Sequence, residues 1–444
     1  MIRMTNITKR LLKGLAVILL AAAGGPFSIA IAQVPGPGAG YNSGFTIQNM
    51  SSSPASCLFT IYDQNGSSIY TSSSISIAAN GSYFVYVGGL SIPSGAYSVQ
   101  ISCDQPVVAI ANTTSSAGNA ASYEGFDSSG ISSTLYTPGL YKNYYGYTSN
   151  VTVQNASNSP ITVTLEIYPL GSSTPVATPR ITSLAPNASK FFDLSAISIP
   201  SGAYSGRILA DGPVAAVVNI WHSNGEQFAY DAIVSGSTTV YAPVLMKSYY
   251  GFNTALTVQN TQGSSGVITI TYSSGLVVTA TIPAYGSILR YTPNENLPSG
   301  WLGSAKIESN VQIIGLVNEA DNQRRAGSYV VFSNATATAF APIVLKNYYG
   351  FSTSITCQNL GSTSATLRVT YSNGHVQTSA PVPPNGTVLF YQPNVTGLPN
   401  GFNGSATITT VGSGNQPIAC IVNQNKVGDP SLADWLLVYS AFNR

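Results

Sequence analysis

Tyr348-Tyr349-Gly350-Phe351-Ser352-Thr353-Ser354-Ile355-Thr356-Cys357-Gln358-Asn359 reads as a turn running into a short strand, and the chain writes it four times. The other copies are Tyr249 to Asn260 (YYGFNTALTVQN), Tyr144 to Asn155 (YYGYTSNVTVQN) and Gly40 to Asn49 (GYNSGFTIQN). Their closing asparagines, at positions 49, 155, 260 and 359, stand 106, 105 and 99 residues apart. A fixed period decides architecture before any single residue is interpreted. A period near a hundred is too long for a solenoid unit or a propeller blade and has the size of a domain.

Two further landmarks keep their order in every copy. One is a proline turn: Ile92-Pro93-Ser94-Gly95, Ile199-Pro200-Ser201-Gly202, Leu297-Pro298-Ser299-Gly300 and Leu398-Pro399-Asn400-Gly401. The other is an apolar segment ending in asparagine, at Asn112, Asn219, Asn318 and Asn423. Period-two alternation, as in Ile268-Thr269-Ile270-Thr271-Tyr272, argues for strands. Asn65-Gly66, Asn80-Gly81, Asn373-Gly374 and Asn385-Gly386 supply turns between them. Each repeat offers about seven short strands, the pattern of a β-sandwich. An apolar segment precedes each later Tyr-Tyr-Gly (Leu135 to Lys142, Val240 to Lys247, Phe340 to Lys346), and nothing equivalent follows the fourth copy. That segment therefore opens a repeat. Repeat one begins instead with Val34-Pro35-Gly36-Pro37-Gly38, so its opening strand is expected to be poor, leaving an edge where another chain could dock.

The reading is all-β: an N-terminal signal peptide (1–32), then four tandem immunoglobulin-like β-sandwiches at 33–134, 135–239, 240–339 and 340–444. Arg3, Lys9, Arg10 and Lys13 give the leader a basic start, and Leu15 to Ala23 is an apolar run short for a membrane span. Ala30-Ile31-Ala32 suits cleavage, the alternative being a retained anchor. Four of the 17 basic residues lie in this leader and all 15 acids beyond it, so the remainder carries −2. That argues against nucleic acid. Only 7% of residues are charged, which suits an extracellular layer, fibre or adhesin.

The run Ala341-Pro342, Lys346-Asn347-Tyr348-Tyr349-Gly350-Phe351, Cys357-Gln358-Asn359, Leu398-Pro399, Gly401-Phe402, Gly404-Ser405-Ala406 and Pro417-Ile418-Ala419 resembles secreted tandem immunoglobulin-like repeat proteins of environmental bacteria. The resemblance spans essentially the whole chain after the leader. It implies an extracellular, cell-surface location and brings no activity and no catalytic residues.

Two of the four cysteines fall in repeat one and two in repeat four. An exported chain favours disulfides, and this distribution favours Cys57 with Cys103 and Cys357 with Cys420. The 63-residue separation of the second pair resembles the inter-sheet bridge of immunoglobulin domains.

No catalytic set stands out. The two histidines, His222 and His375, are not at equivalent positions. Glu319 and Asp321 read as a solvated loop with Arg324-Arg325 as charge partners. No close-spaced Cys/His pair suggests a metal, and no cofactor motif occurs. A Lys–Asn isopeptide bond between the recurring lysine and asparagine would need a neighbouring buried acid, and no acid recurs beside them.

The candidate site is the recurring Lys142, Tyr144 and Tyr145; Lys247, Tyr249 and Tyr250; and Lys346, Tyr348 and Tyr349. These tyrosines read either as an inter-domain joint or as a sugar-binding platform. Repeat one, which nothing precedes, keeps only Tyr41, which favours the joint. The expected function is therefore a non-catalytic extracellular or cell-surface structural or adhesive protein, built as a rod of four repeats. The alternative is an array binding envelope or extracellular polysaccharide. Expected partners are self-association or that polysaccharide, with no nucleic acid and no membrane once the signal is removed.

Overall fold

The computed structural model describes residues 27–31, 40–116, 118–321, 323–412, 415–426 and 434–443. Most of the segment read as a leader, the expected cleavage point and Val34 to Gly38 lie outside them. Among the described residues the chain is all-β, broken only by short 3-10 turns.

Repeat three shows the unit most completely. Its opening strand is Ser237–Lys247, followed by the Gln-Asn strand, Asn253–Asn260. A hairpin of Gly266–Tyr272 and Val277–Ile282 comes next, then a short strand, Ser287–Tyr291. The long strand, Trp301–Ala320, and the closing strand, Ala326–Val330, complete it. The first half of the long strand pairs with the hairpin and the opening strand. Its second half pairs with the Gln-Asn strand and the closing strand. One strand thus serves two sheets, and apolar side chains alternating along it fill the space between them: Ile307, Ile313, Val317 and their neighbours are buried. Repeat two matches this plan, with Gly202–His222 as its long strand. Repeats one and four divide the long strand in two, at Tyr97–Cys103 and Val107–Ser115, and at Phe402–Val411 and Ile418–Lys426.

In repeat one the place of the opening strand, beside Tyr97–Cys103, is taken by Phe27–Ile31. The edge expected to be open there is paired by a strand from the segment read as the leader.

Both disulfides form as paired in the sequence reading, Cys57–Cys103 and Cys357–Cys420. Their geometry corrects the immunoglobulin analogy. Each joins directly opposed residues of neighbouring strands within one sheet, with Cα atoms 4.1 and 4.0 Å apart. The short spacing of a non-hydrogen-bonded antiparallel pair lets the sulfurs meet without crossing the core.

The expected rod is overturned. The closing strand of each repeat packs against two others: Ala120–Glu124 meets Gln227–Asp231, which meets Ala326–Val330, which meets Leu436–Ser440, which returns to Ala120–Glu124. The cores are shared in the same cyclic sense. Repeat one's cluster takes in Ala215, Val217 and Ala229 of repeat two; repeat two's takes in Leu316 and Ala326 of repeat three. Repeat three's takes in Ile421, Leu436 and Val438 of repeat four, and repeat four's takes in Ile110 of repeat one. Serine hydroxyls repeat the pattern: Ser98 donates to the Asn187 carbonyl, Ser304 to that of Asn385, and Ser405 to that of Asn80. The junction of repeat four with repeat one therefore has the form of the others, and the chain closes into a ring. A closing strand with apolar or small side chains on both faces cannot stay wet on one of them, and mutual packing of four such strands removes that exposure.

Candidate functional site

The Gln-Asn motif is structural. Asn260 donates its amide to the carbonyls of Ser264 and Pro283 and accepts from the Gln262 amide, pinning two loops to the strand end. Asn49, Asn155 and Asn359 do the same in their own repeats.

A second recurring residue went unnoticed in the sequence. Tyr230, Tyr329 and Tyr439 lie on closing strands, and each hydroxyl both donates to and accepts from one residue of the opening strand: Gly139, Val244 and Ile343. Those residues follow Pro138, Pro243 and Pro342, where the register slips and the ladder leaves N–H and C=O groups free. Tyr123 holds the same place in repeat one, and its buried hydroxyl has no partner among the described residues. The signal was available: a tyrosine stands eleven residues after Asn112, Asn219 and Asn318.

The candidate lysines are also accounted for. The ammonium of Lys142 donates to the Ile197 carbonyl, that of Lys247 to Glu295 at 2.7 Å and that of Lys346 to Val395 at 2.7 Å. Each ties the opening strand to a loop of its own repeat, away from the recurring asparagines. Asn318 instead donates to the Tyr141 hydroxyl and Asn423 to the Glu319 carboxylate, both across a junction.

The tyrosine pairs sit on the turn between opening strand and Gln-Asn strand. They are one strand beyond the covalent connection between repeats. The turn closes through paired backbone bonds, as between Tyr249 and Phe252. Its first tyrosine is half-buried; Tyr144, for example, stacks on Tyr141 with centroids 5.8 Å apart. Its second points outward: Tyr145 is 82% exposed, Tyr250 85% and Tyr349 82%. All three adopt a left-handed backbone at φ 48°.

Around Tyr249 and Tyr250 lies a cavity of about 660 Å³ between repeats three and four. Phe252 and Tyr391 add aromatic surface; Ser354, Asn394, Asn423 and Asn425 add hydroxyl and amide groups. Arg325 is its one charged lining residue among the described residues. The guanidinium is held 2.5 Å from Asp321 and lies 5.0 Å over the Phe252 ring, so its charge is internally balanced. Glu319 behind Asn423 is fully buried, not a solvated loop residue, and burial pushes its carboxyl up to about 7. Among the described residues the cavity thus offers stacking faces and neutral hydrogen-bonding groups with no free charge.

Among the described residues neither histidine is hydrogen-bonded to a carboxylate or a hydroxyl. His222 contacts the Tyr145 carbonyl and the Asn224 amide, and His375 stacks on Tyr371. Among the described residues no cluster of three metal-ligating side chains occurs, and no helix is long and apolar enough to cross a membrane.

No protein-family model matches the chain, and no curated protein is similar to it. Among solved structures, it is similar to the Thermotoga maritima protein 1070 at 16% identity, covering 24% of this chain and 96% of that one, with a TM-score of 0.21. A Parabacteroides merdae β-glucuronidase shares 9% identity over 50% of this chain and 29% of that one, at a TM-score of 0.14. SGBP-B of a Bacteroides ovatus mixed-linkage glucan utilization locus, in complex with a heptasaccharide, shares 8% over 82% and 89%, at 0.12.

Proposed function

We propose that this chain is a non-catalytic extracellular binding protein that holds a neutral polysaccharide of a cell envelope or matrix in aromatic-lined clefts between its repeats. The observation that carries the reading is the backbone of the outward tyrosines. A left-handed conformation costs a residue with a Cβ about 1 kcal/mol, and glycine would avoid it. An 85% exposed tyrosine recovers almost nothing by burial. A fold selected for stability alone would place glycine or asparagine there, and strain kept at three equivalent positions points to a use for the outward ring. Aromatic faces beside amides and hydroxyls suit sugar rings, which present apolar faces and hydroxyl rims. The balanced Arg325 favours an uncharged ligand.

Retention in native gels cast with soluble neutral polysaccharides (a glucan, a mannan, a xylan, a galactan) tests this. The wild-type chain is slowed by at least one, and Tyr250→Gly weakens that effect while raising stability. Migration unaffected by all four would remove the reading.

A second reading, self-association into a surface layer, draws on Tyr83, Phe84 and Tyr86, an exposed aromatic run on one strand of repeat one. Sedimentation at rising concentration checks it: a monomer throughout would exclude assembly.

A further inference from the structure

The cleft between repeats three and four is one corner of a ring whose junctions follow one plan. At each junction the opening strand of one repeat packs against the Gln-Asn strand and the following half of the long strand in the next. Ser132–Lys142 lies on Asn253–Asn260 and Trp301–Ala320; Ser237–Lys247 lies on Phe351–Asn359 and Ile418–Lys426; Thr338–Lys346 lies on Tyr41–Asn49 and Val107–Ser115. The turn that follows the opening strand carries the outward tyrosine, and in the described cleft it brings Tyr250 beside repeat four.

Lining the same cleft from repeat four is Tyr391, last of its short strand and opposite Ser354 in the ladder. The same register position holds Tyr291, opposite Ala255, in repeat three and Tyr86, opposite Gly44, in repeat one. All three are exposed, at 38%, 42% and 50%. In repeat two the position holds Asp193, opposite Asn150, whose carboxylate accepts from the amide and hydroxyl of Ser195. The corner leading into repeat two also lacks an outward tyrosine, because the sequence there reads Ala39-Gly40 where the others read Tyr-Gly. Both halves of the aromatic pair are thus missing together at one corner and kept together at three.

We infer that the ring carries three equivalent sugar-binding corners, Tyr145 with Tyr291, Tyr250 with Tyr391 and Tyr349 with Tyr86, and that its fourth corner is blank. This rests on the sugar reading proposed above and deepens it. The ligand is then a polymer of repeating neutral units that engages two or three corners of one molecule, with short fragments held weakly at each. Effective concentration at the second and third corners makes the polymer bind about a hundredfold more tightly than a fragment filling one corner.

Calorimetry on the full chain separates the outcomes. The probes are the polysaccharide retained in the gel assay and a tetrasaccharide cut from it; the proteins are wild type, Tyr145→Gly, Tyr250→Gly, Tyr349→Gly and the triple variant. Glycine fits the left-handed turn, so the variants fold, and an unchanged or raised melting temperature verifies it. Three tetrasaccharides per wild-type chain, two per single variant and none for the triple variant are expected, with polymer affinity falling at each step. One tetrasaccharide per chain, lost only in Tyr250→Gly, would overturn the three corners while leaving the single cleft intact. Full binding by the triple variant would overturn both the corners and the tyrosine platform. A wild-type chain that binds neither probe would instead refute the sugar reading itself.

Discussion

Replacing Tyr329 with Phe removes a single buried oxygen and tests how the closing strands are held. That hydroxyl lies 2.5 Å from the Val244 carbonyl and 3.1 Å from the Val244 amide, in a site where the ring is 1% exposed. The variant keeps the ring and leaves two buried backbone groups without partners at the slip beside Pro243. Each orphaned group costs about 1–3 kcal/mol, so for the two the expected loss is about 2–6 kcal/mol, read as a lower urea midpoint at unchanged slope. Tyr123→Phe is the internal control. Its hydroxyl is buried and unpartnered among the described residues, so its removal relieves a desolvated polar atom and should be neutral or stabilising. The difference between the two isosteric changes isolates the hydrogen bonds from the packing. Equal losses in both variants would refute the clamp and assign these tyrosines to packing alone.

Small-angle scattering should give a radius of gyration near the compact value of about 22 Å; a value near 40 Å, about that of four sandwiches end to end, would contradict ring closure. Stability should fall as pH rises from about 4.5 to 7, because Glu319 binds its proton more tightly folded than unfolded: the favourable contribution is complete below the unfolded value and lost through about 7. Glu319→Gln should flatten that slope and leave the protein more stable at pH 8, and an unaltered slope would exclude Glu319 as its source. Under mild reductant, Cys57 and Cys103 should be alkylated before Cys357 and Cys420, since Cys103 is partly exposed and the second pair is wholly buried; mass mapping of the alkylated peptides checks the order.

The strands and disulfide partners were open to sequence reading because they are local or nearly so. Period two, turn dipeptides and the distribution of four cysteines carry that information within about a hundred residues. The ring was not readable, because its contacts join Asn112 to Gln424, Glu124 to Ser440 and Asn80 to Ser405, more than 300 residues apart. A short apolar strand such as Leu436–Ser440 looks the same whether its second face meets its own sheet or a distant repeat. Glu319 was misplaced for a related reason: a carboxylate two residues from a paired Asp321 reads as loop, and only the packing of the next repeat buries it. The outward tyrosines were visible as a recurrence, but their exposure depends on backbone dihedrals that the letters Tyr-Tyr-Gly do not fix.

Ring closure has a consequence for how many repeats such a chain can hold. In an open stack, each unit meets only its neighbours, and units can be gained or lost at either end with little penalty. Here the last unit must present its docking face to the first, so the turn made at each junction has to add up to one full circle. Deleting repeat three by joining 239 to 340 would leave two complementary faces that no longer meet within one molecule. Such faces satisfy themselves between molecules, in a head-to-tail chain with no natural end. The count of four is therefore a property of the angle at each junction, and a lineage that changed the number would have to change the angle with it.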